Sequence, residues 1–137
     1  MKKHILLIDD DKDELMIFMD ALSQVPHDDG FKCTFAGSAR QAIEMLKYLV
    51  PDYIFSDFNM HEMNGIELLR YIKERQPLNK TELCLYSGHI DAETARKAAM
   101  IGVHCIQKTG TIASLAKNLS RLFAMERQPR YSFSNIL

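Results

Sequence analysis

The sequence predicts an α/β domain in which a doubly wound, five-stranded parallel sheet carries five helices on its two faces. Three observations predict it. Five short apolar runs, rich in β-branched and aromatic residues, alternate with five stretches of helical spacing. The first run, Ile5-Leu6-Leu7-Ile8, is apolar at every position, the pattern of a strand covered on both faces. The chain has 137 residues, 47% hydrophobic and 26% charged, which suits one domain with its own core.

The elements follow in order. Residues 4–8 form the first strand, ended by Asp9. Leu15, Phe18, Met19 and Leu22 then recur at i, i+3, i+4 and i+7, one face of a helix. Residues 31–36 form the second strand. Ser38 is placed to cap the second helix, whose apolar positions are Ala39, Ala42, Ile43, Leu46 and Leu49. Residues 53–56 form the third strand, and the third helix runs from Gly65 to Arg75 on Ile66, Leu69 and Ile72. After a fourth strand at 82–86, the fourth helix spans 92–101, alanine-rich and weakly apolar, with Gly102 placed to end it. The fifth strand is 103–107. The fifth helix has the clearest period, through Ile112, Leu115, Ala116, Leu119, Leu122 and Phe123. Residues 1–125 thus make the domain. Residues 126–137, interrupted by Pro129, read as a C-terminal tail without an effector domain.

Composition excludes several classes of function. Seventeen basic against eighteen acidic side chains leave a formal charge of −1, without the basic footprint of a nucleic-acid or anionic-membrane binder. No apolar run approaches the ~20 residues of a membrane span, and the opening run is too short for a signal peptide. Cys33, Cys84 and Cys105 match no metal or redox spacing, which fits a reduced cytoplasm. Met16, Met19, Met45 and Met100 fall near apolar helical positions and read as core filler.

In such sheets the functional crevice lies beyond the carboxyl ends of the strands. There the sequence places Asp9-Asp10-Asp11, Asp57, Ser87 and Lys108. Like charges ~5 Å apart repel by about 3 kcal/mol at an effective dielectric near 20. Lys108 supplies one compensating charge, and a divalent cation would cancel the rest. Hard oxygen donors favour Mg²⁺ over zinc. Each residue also has an ordinary reading: Asp10 or Asp11 as a helix cap, Asp57 as a loop carboxylate, Ser87 in a turn, Lys108 in solvent. Their coincidence at successive strand ends favours a joint site.

These residues carry a resemblance. Ile5 through Asp11, Pro51 through Met60, Met63-Asn64-Gly65, Leu85 through Gly88, and Gln107-Lys108 resemble the receiver domains of two-component response regulators, of the stand-alone, chemotaxis-regulator-like kind. The resemblance covers residues 3–124. It implies a flavodoxin-like sheet in the order 2-1-3-4-5 and a phosphorylation switch. Asp57 would be the phosphoacceptor, served by the phosphohistidine of a sensor histidine kinase or histidine phosphotransfer protein. Asp10, Asp57 and the backbone carbonyl of Asn59 would hold Mg²⁺ directly, and Asp9 would do so through water. Ser87 and Lys108 would bind the phosphoryl group. Asn59 and His89 would tune water access to it, and the fourth helix, fifth strand and fifth helix would face a downstream protein. The resemblance implies a phosphoacceptor domain that assists only its own phosphorylation and dephosphorylation, not a conventional enzyme.

Three positions depart from the family pattern. His61 and Thr109 stand where proline is usual, which frees the first loop and makes a cis bond after Lys108 expensive, ~2.5–4 kcal/mol. Cys105 stands where an aromatic residue commonly swings inward, and a small buried, inert thiol cannot make that movement. Two competing readings are a pseudo-receiver that works without phosphate and a small phosphatase on a similar fold. The complete Asp9, Asp10, Asp57, Ser87 and Lys108 set argues against the first, and the lack of a substrate-binding insertion against the second.

Overall fold

The computed structural model describes residues 2–27, 29–75, 80–108 and 110–127. Strands and helices alternate as β1 (Lys3–Ile8), α1 (Asp13–Ser23), β2 (Phe31–Ala36), α2 (Ala39–Met45), β3 (Tyr53–Ser56), α3 (Gly65–Arg75), β4 (Glu82–Ser87), α4 (Ala92–Met100), β5 (His104–Gln107) and α5 (Ile112–Arg127). All neighbouring strands are parallel, in the order β2-β1-β3-β4-β5. The doubly wound sheet read from the sequence is therefore the fold, with the strand order that the resemblance implied.

Alternate residues of each strand feed two apolar layers. Ile5, Leu7, Phe55, Cys84 and Ile106 pack under α1 and α5, where Phe18 meets the rings of Phe55 and Tyr86 edge-on at 5.0 and 5.4 Å. Leu6, Ile8, Ile54 and Leu85 pack on the opposite face against α2, α3 and α4. Ser38 caps α2 by accepting the N–H of Gln41. Gly102, at φ +76°, follows α4 in the left-handed region that glycine adopts without strain. Among the described residues, no helix is long and apolar enough to cross a membrane.

Four local expectations are corrected. The second helix ends at Met45, short of Leu49, and only turns follow before Pro51, a residue that disfavours helix just ahead of itself. Met16, Met19 and Met100 are exposed and fill no core; of those four methionines only Met45 is partly buried. In α1 the buried stripe is Phe18, Ala21 and Leu22, and Met19 lies one residue, ~100° of helix, round from Phe18. Finally, α5 runs to Arg127, two residues beyond the boundary at 125, through helix-forming residues that precede Pro129. Residues 128–137 lie outside the described residues.

Candidate functional site

Backbone hydrogen bonds just past the strand ends fix the site. The Asp9 N–H donates to Ala36 (3.0 Å), the Asp57 N–H to Ile8 (2.9 Å) and the Lys108 N–H to Ser87 (2.7 Å). Three ladders thus extend one residue beyond the sheet and hold these side chains on one rim. Asp9, Asp57 and Ser87 are buried there.

Lys108 Nζ lies 2.8 Å from Asp9 Oδ2, 3.4 Å from Asp57 Oδ1 and 3.6 Å from Glu14 Oε1. One carboxylate oxygen from each of Asp9, Asp10 and Asp57 falls within 4.8 Å of the others. Asp11 stands apart: its N–H donates to Asp9 Oδ1 and its own carboxylate accepts the N–H of Asp13, both at 3.0 Å. Asp11 therefore serves the start of α1 and leaves Asp10 to the crevice. The donor set of three hard oxygens facing one ammonium fits a divalent cation such as Mg²⁺.

Burial pushes the Asp57 carboxyl up, Lys108 pulls it down and Asp9 pushes it up again; the net direction is up. Burial alone would lower Lys108. The hydrogen bond and charge of Asp9, with the charges of Asp57 and Glu14, outweigh it and hold the ammonium above its ordinary value. A stability consequence follows in metal-free buffer. An acid whose pKa is raised by folding stabilises the fold least once pH exceeds that raised value. Asp57→Asn is therefore expected to raise the unfolding temperature at neutral pH. The gain should vanish as pH falls below the carboxylate range. A variant that melts at or below the parent temperature at neutral pH would contradict it.

The structure adds two residues that the sequence reading missed. Glu14 reaches Lys108, and the Tyr86 hydroxyl donates to Glu14 Oε2 at 3.2 Å. Lys108 Nζ also lies 5.1 Å from the centre of the Tyr86 ring. Burial, then the charge of Glu14, hold Tyr86 protonated far beyond its ordinary range. The one available signal was that Glu14 opens α1 close behind the aspartates.

Gly65 opens α3 against the backbone of Asp57. Its N–H donates to Phe58 at 2.8 Å, and a Cβ there would stand 2.2 Å from the Asp57 carbonyl oxygen. Asn64 caps α3 reciprocally with Glu67, accepting its N–H and donating to its carboxylate, each at 2.9 Å. The Asn-Gly pair thus presses a helix onto the loop that carries Asp57.

Three of the remaining candidates are exposed residues between the helices and strands. Asn59 is exposed two residues past Asp57. His61 is also exposed, with Nε2 4.0 Å from Asp10 Oδ2. His89 is exposed too; the carboxylate it influences is Asp91, the N-cap of α4, which Thr94 lowers first and His89 to a smaller degree. Thr109 lies outside the described residues.

Cys105 corrects the sequence reading, because it is exposed and not buried. Its parity in edge strand β5 is opposite to that of buried Ile106, and α4 leaves it uncovered. Burial raises the Cys33 thiol to about 11 and Cys84 well above its ordinary value, whereas Cys105 is raised yet accessible. Thiol titration of the native protein at mildly alkaline pH should therefore label Cys105 first, with Cys84 protected until unfolding. Equal rates at all three cysteines would contradict this placement.

Five parallel strands in this order, with a carboxylate cluster and a lysine on the carboxyl rim, define the class of CheY-like α/β domains. The sequence matches the family pattern of the response regulator receiver domain over residues 5–120. It is 31% identical over 121 residues to the chemotaxis protein CheY-3 of Vibrio cholerae, covering 87% of this chain and 90% of that one. It is 27% identical over 124 residues to a probable chemotaxis protein CheY of Rhizobium etli, covering 89% and 93%. Among solved structures, the phosphorylated cyanobacterial phytochrome response regulator RcpA shares the fold with a TM-score of 0.79 at 20% identity, over 94% of this chain and 98% of that one. The chemotaxis response regulator CheY4 of Vibrio cholerae does so at 0.75 and 21%, over 89% and 99%. The chain belongs to the response regulator receiver domain family, a family of phosphoacceptor signalling domains.

Proposed function

We propose that this protein is a phosphorylation switch. Asp57 takes a phosphoryl group from the phosphohistidine of a sensor histidine kinase or a histidine phosphotransfer protein. The signal then leaves by contact with a downstream protein or by onward relay, in the cytoplasm and without nucleic acid or membrane. The observation that carries this reading is the Lys108 ammonium seated between Asp9 and Asp57, with Asp10 on the same rim.

A carboxylate oxygen of Asp57 attacks phosphorus in line as the phosphorus–nitrogen bond of the donor breaks, and the donor imidazole leaves with that electron pair. The product is an acyl phosphate on Asp57. Lys108 stands where negative charge gathers on the phosphoryl oxygens, and the Ser87 hydroxyl donates to one of them. Asp10, Asp57 and the Asn59 carbonyl would hold Mg²⁺ directly, and Asp9 would do so through water. The cation, when bound, offsets carboxylate and phosphoryl charge. Asn59 and His89 tune the access of water to the product. Drawing Ser87 and Lys108 toward new oxygens moves the loops after β4 and β5, and so α4, β5 and α5. Exposed Cys105 offers no ring to report that movement.

Acetyl phosphate or beryllofluoride, each with Mg²⁺, is expected to form an adduct on the unaltered protein, read by intact mass or by fluorine NMR. Asp57→Asn should abolish it. A parent protein that forms no adduct with either reagent overturns the reading.

A further inference from the structure

We propose that the groove between α3 and α4 is a docking site for a short acidic segment of a partner protein, which seats an apolar side chain on the groove floor. The groove has a volume of about 500 Å³. Its floor is apolar, built from Phe58, Ile66 and Ile101, and Met100, 73% exposed, also lines it. Exposure of so large an unbranched side chain beside other apolar groups marks a surface that gains by being covered.

The rim supplies the sign of the partner. Arg70, Arg96 and Lys97 line it together with one carboxylate, Glu67. Glu67 is engaged in the Asn64 cap, and Lys97 is paired with Glu93 at 3.4 Å. Among the described residues, neither Arg70 nor Arg96 is paired with a carboxylate; the one polar contact of Arg96 is Nη1 to Met100 Sδ at 3.5 Å. A chain of net charge −1 thus presents two unpaired guanidinium forks over an apolar floor. Such forks match carboxylates in a planar, two-bond geometry. The groove is also bounded. Phe58 and Asn64 at its end adjoin Asp57 and its acidic neighbours, which would repel a continuous polyanion that ran on past the arginines. A short acidic peptide fits both limits; a nucleic acid does not.

The docking stands whether or not Asp57 carries a phosphoryl group, so the test uses the unmodified full chain in metal-free buffer. Fluorescein-labelled synthetic peptides, each with leucine or phenylalanine set among aspartates and glutamates, are titrated with the protein. Saturable binding that weakens with salt is expected. It should fall about tenfold with Arg70→Glu and with Arg96→Glu, and stay unchanged with Arg40→Glu, an exposed position on α2. Backbone amide shifts should gather at Ile66, Thr94 and Met100. The proposal is overturned if no acidic peptide saturates or if the doubly charge-reversed protein binds as well as the parent. It is equally overturned if lysine-substituted peptides or a DNA duplex bind more tightly, or if the shifts fall elsewhere.

Discussion

Lys108→Met is expected to destabilise the metal-free protein by about 3–5 kcal/mol, the range for leaving one partner of a buried ion pair alone. Asp9 is 1% exposed, and its described partners are the Lys108 ammonium and the Asp11 N–H. Methionine keeps the stem of the lysine and removes the charge. Asp9, Asp10 and Asp57 then face one another, their nearest oxygens within 4.8 Å. At an effective dielectric near 20 each such pair costs about 3 kcal/mol. Protonation of one carboxylate limits that cost, so the loss should shrink as the buffer is made acidic. Chemical denaturation in a chelator measures it directly. Phosphoryl uptake from acetyl phosphate should slow by ~10²–10³-fold, the usual effect of removing one positioned electrostatic partner. Lys108→Arg should retain much of the stability and less of the rate, because a planar fork cannot occupy the same point between Asp9 and Asp57. Unchanged denaturation of the methionine variant would show that the ion pair contributes nothing to the fold.

The same cluster shows what the sequence could disclose. A parallel sheet sends every strand's carboxyl end to one rim, so Asp9, Asp57, Ser87 and Lys108 could be grouped from their places behind apolar runs alone. Glu14 and Tyr86 could not. Their contact joins residues 72 apart and depends on how far α1 is rotated about its axis. Helical period identifies a stripe without fixing that rotation, which is why Phe18 is buried and its neighbour Met19 is exposed. Cys105 follows similar logic. Alternation in β5 places it opposite Ile106, but whether a helix covers that face of an edge strand is decided by α4, elsewhere in the chain. The α3–α4 groove was equally hidden, since its rim combines one turn of each helix.

Gly65→Ala is expected to impair phosphoryl uptake more than it impairs folding. At the first position of α3, alanine has the better helix propensity, by up to ~1 kcal/mol. Sterics oppose it. The new methyl would stand 2.2 Å from the Asp57 carbonyl oxygen and 2.9 Å from Leu85 Cδ1. The leucine can rotate, but the carbonyl belongs to Asp57 itself and moves only with its backbone. Overpacking of this kind costs about 1–3 kcal/mol, so thermal melting should show a modest loss. A displacement near ~1 Å at a reacting group lowers rate by ~10²-fold, so adduct formation at Asp57 should fall by that order. Adding Leu85→Ala removes one of the two close contacts and should recover little of the rate, because the carbonyl contact persists. Gly88→Ala supplies the contrast: nothing lies within 4 Å of its Cβ position, so it should fold and react as the parent does. If Gly65→Ala reacted as fast as Gly88→Ala, the α3 contact would have no part in aiming Asp57.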